Sequence, residues 1–317
     1  MNKNVSIAIA TALVMNSGVA NAQEAVNIGK HNITLSKDVM TPETLWAMGR
    51  IGSAQASPDG SKIVYQVGYY SVKENKGHQV IYVMNADGKN ARQLTTSAKS
   101  ESSPAWLDNN TIAFLYEGQV WTMNADGTNR KKLSSSDIEI EGFRFSPDGK
   151  KVLLIKSLPY HGTIKKNPSD LPKASGRLIT DMNYRHWDHY VETIAHPFVA
   201  EVTANGINKN DIDIIEGEPY ESPLAPFGGI EQFDWSKDSK QIAYTCRKKE
   251  GVKYAVSTDS DIFLYNLETK KTVNLCKPAD YVEPEIDMTK TLRNQKVNHQ
   301  DGDFNVGYDV NPKFSPD

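Results

Sequence analysis

The sequence predicts an all-β chain, a β-propeller of four-stranded blades. Three observations predict it. A Ser-Pro-Asp-Gly turn, or a close variant, returns along the chain. A strand–turn–strand unit of the form Met-Asn-Ala-Asp-Gly follows the first two copies. Short alternating apolar runs flank these turns.

The first 22 residues read as an address. Lys3 is their only charge, Val5–Met15 is an apolar run, and Ala20-Asn21-Ala22 has the form of a cleavage site. This is a secretory signal peptide, with cleavage before Gln23. The run is too short to span a bilayer. The mature chain is expected to be periplasmic or secreted, with no membrane span after cleavage. Residues 23–50 form a lead-in, and residues 51–317 a partial propeller.

The blades follow in order. Ser57-Pro58-Asp59-Gly60 precedes SKIVYQV, and Leu107-Asp108-Asn109-Asn110 precedes TIAFLY. Ser146-Pro147-Asp148-Gly149 precedes KKVLLIKS, and Ser236-Lys237-Asp238-Ser239 precedes KQIAYTC. Ser315-Pro316-Asp317 is a fifth copy. Pro fixes φ at the second turn position, and Asp-Gly supplies the reversal. In SKIVYQV, Ile63, Tyr65 and Val67 share one face, Val64 and Gln66 the other. The units beginning at Ile81, Val120 and Ile262 each read as a strand, a tight turn and a second strand. GSAQAS, ESSPAW, EGFRFS, EQFDWS and NPKFS supply the strand before each turn. The count is about four blades plus the start of a fifth: residues 51–96, 104–134, from 143, and 231–276. Propellers close with four to eight blades, so the propeller is expected to be incomplete, with exposed strand edges prone to association.

Blade three is interrupted by a loop and helical insertion over about 158–197. Its first half is rich in Pro, Gly and Lys and reads as loop. Its second half, RLITDMNYRHWDHYVETIA, places Tyr184, Trp187 and Val191 at helical spacing.

Composition removes several classes. With 38% apolar and 24% charged residues, the chain is neither disordered nor a multi-span membrane protein. A net charge of −3 gives no footprint for nucleic acid. Cys246 and Cys276 end the second and fourth strands of blade four. A whole strand between them puts them beyond disulfide reach, so both are expected free. His186, His189 and His196 lack zinc-ligand spacing, and no metal or cofactor is expected.

The opening MTPETLWAMGRIGSAQASPDGSKIVY, the MNADG hairpins and MNYRHWDHYVE resemble the N-terminal propeller of secreted bacterial serine peptidases of the prolyl oligopeptidase family. The nearest likeness is to their dipeptidyl peptidase V and acylaminoacyl peptidase branch, and it covers residues 38–317. The resemblance implies a propeller that gates peptide substrates above a C-terminal α/β-hydrolase domain of the same full-length chain. The catalytic triad of that domain would hold its Ser in G-x-S-x-G. That motif is absent from these 317 residues. No catalytic residue carries over, and the chain by itself is expected to be inactive. The alternative is a non-catalytic TolB-like propeller that binds a periplasmic protein partner.

A dipeptidyl peptidase must detect a free α-amino group. Asp181, Asp188 and Glu192 are the carboxylates in the insertion that could do so. Asp188 and Glu192, four apart, would share a helix face. Tyr184 and Trp187 could wall an apolar side chain. Alternatively Arg185 pairs with Asp188 or Asp181, and the aromatics anchor the insertion to the propeller.

Overall fold

Each blade turn is assembled from its own side chains. In a computed structural model of the chain, Ser57 Oγ donates to Asp59 Oδ1 at 2.6 Å. The same carboxylate oxygen accepts the Ser61 amide, and Ser57 Oγ accepts the Lys62 amide. Ser146/Asp148 repeats this pattern with Lys150 and Lys151, and Ser236/Asp238 with Lys240 and Gln241. The fourth turn residue is left-handed: Gly149 has φ 67° and Ser239, its counterpart, φ 60°. Sequence, not tertiary packing, therefore writes these reversals. The second turn does without the serine, since Asp108 Oδ1 alone accepts the Asn110 and Thr111 amides.

The structure describes residues 28–33, 39–160, 171–176, 178–181, 185–186, 188–282 and 307–315. The signal-peptide expectation falls outside them. The short helix α1, Pro42–Ala47, is capped by the Thr41 hydroxyl and leads into the first sheet.

Four antiparallel meanders follow in chain order. The first holds β1 (Arg50–Ala56), β2 (Lys62–Ser71), β3 (Lys76–Asn85) and β4 (Arg92–Gln93). The second holds β5 (Glu101–Trp106), β6 (Thr111–Tyr116), β7 (Gln119–Asn124) and β8 (Lys131–Lys132). The third starts with β9 (Ile140–Phe145) and β10 (Lys151–Pro159). A two-residue hairpin, β11 (Arg185–His186) with β12 (His189–Tyr190), stands apart from it. The third sheet resumes with β13 (Thr193–Thr203), β14 (Gly206–Ile207) and β15 (Ile212–Asp213). The fourth holds β16 (Phe233–Trp235), β17 (Gln241–Cys246), β18 (Asp261–Asn266) and β19 (Lys271–Asn274). The helix α2, Gly251–Val256, lies between β17 and β18. This is the all-β propeller architecture, with one antiparallel sheet per blade, four-stranded in three of them and five-stranded in the third.

The core lies between neighbouring sheets. Val64, Ile81 and Val83 of the first pack on Trp106, Ile112 and Phe114 of the second. Ala113 and Leu115 of the second meet Phe143, Val152 and Leu154 of the third. Leu153, Ile155 and Val199 of the third meet Phe233, Ile242 and Tyr244 of the fourth. The central strands are buried on both faces, so they read as apolar runs such as VLLI.

Inner strands are also joined by hydrogen bonds. Gln55 accepts the Trp106 amide at 2.7 Å and its indole N–H at 3.1 Å. Trp235 donates its indole N–H to Arg144 O, while Arg144 Nη1 pairs with Asp234 at 2.8 Å. The amide of Phe314, in the fifth repeat, donates to Asp234 Oδ2.

Two expectations need comment. The helix expected in the insertion is not what the described residues form. Arg185 pairs with Tyr190 and His186 with His189 as strands, and Thr193 already belongs to β13. Aromatic and β-branched residues suit a pleated surface as well as a helix face, and here pairing wins. Asp188 and Glu192 therefore share no helix face. Paired backbone reaches Pro159↔Thr193, so the excursion from blade three is residues 160–192. Both cysteines are free, as expected, with β18 between their strands. Cys246 is fully buried, and burial pushes its thiol far above the usual range.

Candidate functional site

The site is built by an interruption of β-sheet chemistry. Lys156 ends an apolar run in β10, and His196 sits opposite it in β13. Both side chains are buried, and a buried polar group requires a partner. Lys156 Nζ reaches Asp211 Oδ2 at 2.6 Å and stands 3.8 Å from the centre of the Phe198 ring. His196 Nδ1 donates to Asp213 Oδ2 at 2.8 Å. Asp213 Oδ1 in turn accepts the Ile215 amide, which fixes the carboxylate. The Asp211–Asp213 stretch is held beside β13 by pairing of Ile212 with Val199 and Asp213 with Phe198.

His196, Asp211 and Asp213 line a cavity of about 830 Å³ at the root of the excursion. Leu158, Ile194 and Phe198 give it an apolar floor. Asp181, Asp211, Asp213, Glu216, Glu218 and Glu250 give it an acidic wall. Tyr160 donates its hydroxyl to Asp181 at 3.2 Å, and the Tyr160 amide donates to Glu192 O. The same tyrosine thus ties the two ends of the excursion together and orients one carboxylate of the wall. Lys248 pairs with Glu218 at 2.6 Å, and Tyr220 donates to Glu250 at 3.0 Å. Burial, with the Glu250 bond second, raises the Tyr220 hydroxyl to about 12, so it remains a donor.

Carboxylates dominate the charged groups of the described lining, which also include Lys270, and Lys156 and Lys248 pair with Asp211 and Glu218 from outside it. A partly enclosed acidic cavity with an apolar floor is suited to an organic cation bearing an apolar group. In such a shelter charge-assisted hydrogen bonds gain strength.

The sequence-predicted residues fall in three places. Asp181 is in the cavity wall. Asp188 and Glu192 are exposed and stand outside the lining, Asp188 beside His189 Nδ1 at 2.9 Å. The backbone of Arg185 is in the hairpin; its side chain, with Tyr184 and Trp187, lies outside the described residues. Sequence reasoning missed Lys156, His196, Asp211 and Asp213. A signal was present, because a lysine and a histidine interrupt apolar strands and so call for buried partners.

The chain matches no family profile. It is 40% identical, over an alignment of 322 positions, to dipeptidyl-peptidase 5 of Porphyromonas gingivalis; the match covers 100% of this chain and 42% of that protein. It is 35% identical to dipeptidyl-peptidase 5 of Porphyromonas endodontalis, over 90% of this chain and 38% of that one. The chain thus spans less than half the length of these relatives. Among solved structures, Pyrococcus horikoshii acylaminoacyl peptidase superposes with a TM-score of 0.49 at 13% identity, over 74% of this chain and 33% of that one. Identity of 40% over the whole of this chain supports a propeller of the prolyl oligopeptidase family, in kinship with dipeptidyl-peptidase 5.

Proposed function

We propose that this propeller admits and reads peptide substrates for an exported serine dipeptidyl peptidase of the periplasm or the secreted fraction. Peptide hydrolysis would be carried by an α/β-hydrolase domain in the longer protein. The observation that supports the reading is the acidic cavity at the root of the excursion, in a chain whose relatives are dipeptidyl peptidases. A peptide with a free N-terminus presents an ammonium beside an apolar side chain. Asp181, which accepts the Tyr160 hydroxyl in the cavity wall at the root of the excursion, is the carboxylate assigned to the ammonium in this reading. Leu158, Ile194 and Phe198 would take the side chain.

The test uses the chain continued by the sequence that follows it in its gene. Dipeptidyl substrates with free and with acylated N-termini are compared. Asp181→Asn is expected to lower kcat/KM for free-amine substrates about tenfold or more, as loss of a charge-assisted bond should. Acylated substrates are expected to be little affected. Asp188→Asn and Glu192→Gln, outside the cavity, are expected to leave the free-to-acylated ratio unchanged. Equal losses on both substrate classes for Asp181→Asn would exclude amine recognition here.

A further inference from the structure

A second cluster of ligand-type side chains lies away from the cavity, where residues 307–315 cross the fourth sheet. Ser260 forms a parallel bridge with Tyr308. The Ser260 amide donates to Gly307 O at 3.0 Å, and the Asp309 amide to Ser260 O at 3.1 Å. This contact brings Asp309 against Asp261, the first residue of β18, and Cys276, which follows β19. One donor atom from each of the three residues lies within 4.8 Å of the other two.

The surroundings favour a cation. Asp259, Asp261 and Asp309 face Lys249 and Lys277 in the same region. Both lysines contact Asp259, at 2.8 and 2.7 Å, and Lys277 also holds Asp261 at 2.8 Å. Three carboxylates thus meet two ammonium groups among the described residues, and one negative charge has no counter-ion. Asp309 Oδ2 is buried and accepts no hydrogen bond. A buried carboxylate oxygen left in this way is costly. Cys276 Sγ accepts the Ile262 amide at 3.2 Å, while burial, first, and the Asp309 and Asp261 carboxylates raise its thiol above the usual range and keep it protonated without a metal.

We propose that Asp261, Cys276 and Asp309 form a binding site for a thiophilic divalent cation of the zinc type, which fastens the 307–315 segment to the fourth sheet. Zinc takes thiolate and carboxylate ligands together, and water would complete a tetrahedral set. The thiolate excludes magnesium and calcium as the preferred ions, since those take oxygen ligands. Charge balances. The cation brings two positive charges, and the Cys276 thiol releases its proton to solvent as the metal–sulfur bond forms. The cluster then moves from a net charge of −1 to neutrality. Lys277 keeps its contacts with Asp259 and with one oxygen of Asp261, so no ammonium must leave.

Cd2+ is the probe, because a cadmium–thiolate bond has an ultraviolet charge-transfer band. The metal-free chain is expected to bind one Cd2+ with that band, and Zn2+ to displace it. Cys276→Ser is expected to abolish the band, while Cys246→Ala retains it. Asp309→Asn is expected to weaken binding about tenfold or more, in line with loss of a ligand-shell contact. A measurement on the unaltered chain guards against variants that fail to fold: saturating Zn2+ is expected to protect Cys276 from alkylation. The proposal is overturned by a band that survives in Cys276→Ser, by unweakened binding in Asp309→Asn, or by the absence of both band and protection in the unaltered chain.

Discussion

Blades two and three share their design up to one residue pair and then diverge. In blade two the second and third strands run to Tyr116↔Gln119 and close on Glu117-Gly118, both left-handed with φ 50° and 65°. In blade three the corresponding pair is Lys156↔His196. The strands continue past it, through Ser157↔Ala195 and Leu158↔Ile194 to Pro159↔Thr193, before the excursion of residues 160–192. The inter-sheet core is alike in both blades. In these two blades the interior is shared and the end is adjustable: blade two buries a single Glu101–Arg130 pair beside its tight turn, whereas the lengthened end of blade three buries Lys156–Asp211 and His196–Asp213 beside a cavity.

The largest predicted effect breaks the lengthened end. Lys156→Ala leaves the largely buried Asp211 without its ammonium, and is expected to cost about 3–5 kcal/mol in urea unfolding. Pairing Lys156→Met with Asp211→Leu is expected to recover most of that loss, because neither charge of that pair is then buried without its partner. If the double variant is as unstable as the single, an unpaired buried charge is not the source of the loss.

A smaller effect concerns the turns the blades share. Gly149→Ala forces a side chain into the left-handed region at φ 67° with no steric neighbour, and is expected to cost about 1–2 kcal/mol in the same assay. An unchanged midpoint would show that the turn relaxes freely.

The smallest effect is the response of those turns to acid. Hydrogen bonds from Ser57 and Ser61 hold the Asp59 carboxyl down at about 2, and those from Ser146 and the Lys150 amide lower Asp148. A carboxyl lowered on folding contributes stability above its unfolded value near 4 and loses it as pH falls through its folded value. Thermal midpoints are therefore expected to fall as pH drops from about 4 towards 2. Asp59→Asn and Asp148→Asn should flatten that slope slightly. A slope unchanged in the Asp59→Asn/Asp148→Asn double variant would remove the turns as its source.

What the sequence reveals follows from how local each determinant is. Ser-Pro-Asp-Gly encodes its turn within six residues, so the four sheets, their order and the strand between the two cysteines were all readable. The excursion was not, because the 3.6-residue spacing of Tyr184, Trp187 and Val191 fits a hairpin of aromatic and branched residues as well. The cavity was still less readable. Its wall is drawn from Asp181, Asp211, Glu218 and Glu250, and only the sheet topology brings these together. Asp261, Cys276 and Asp309 likewise meet only because residues 307–315 cross the fourth sheet.

The hydrogen bonds between inner strands give the molecule a mechanical polarity. They join the first sheet to the second through Gln55 and Trp106, the third to the fourth through Arg144 and Trp235, and the fourth to the 307–315 segment through Asp234 and Phe314. A load applied at residue 315 meets the Asp234 link first and reaches the Gln55 link last. Under tension the sheets should let go one at a time in reverse chain order, giving a staircase of extensions in a single-molecule pulling record. One cooperative rupture would show that the apolar interfaces, not these links, bear the load.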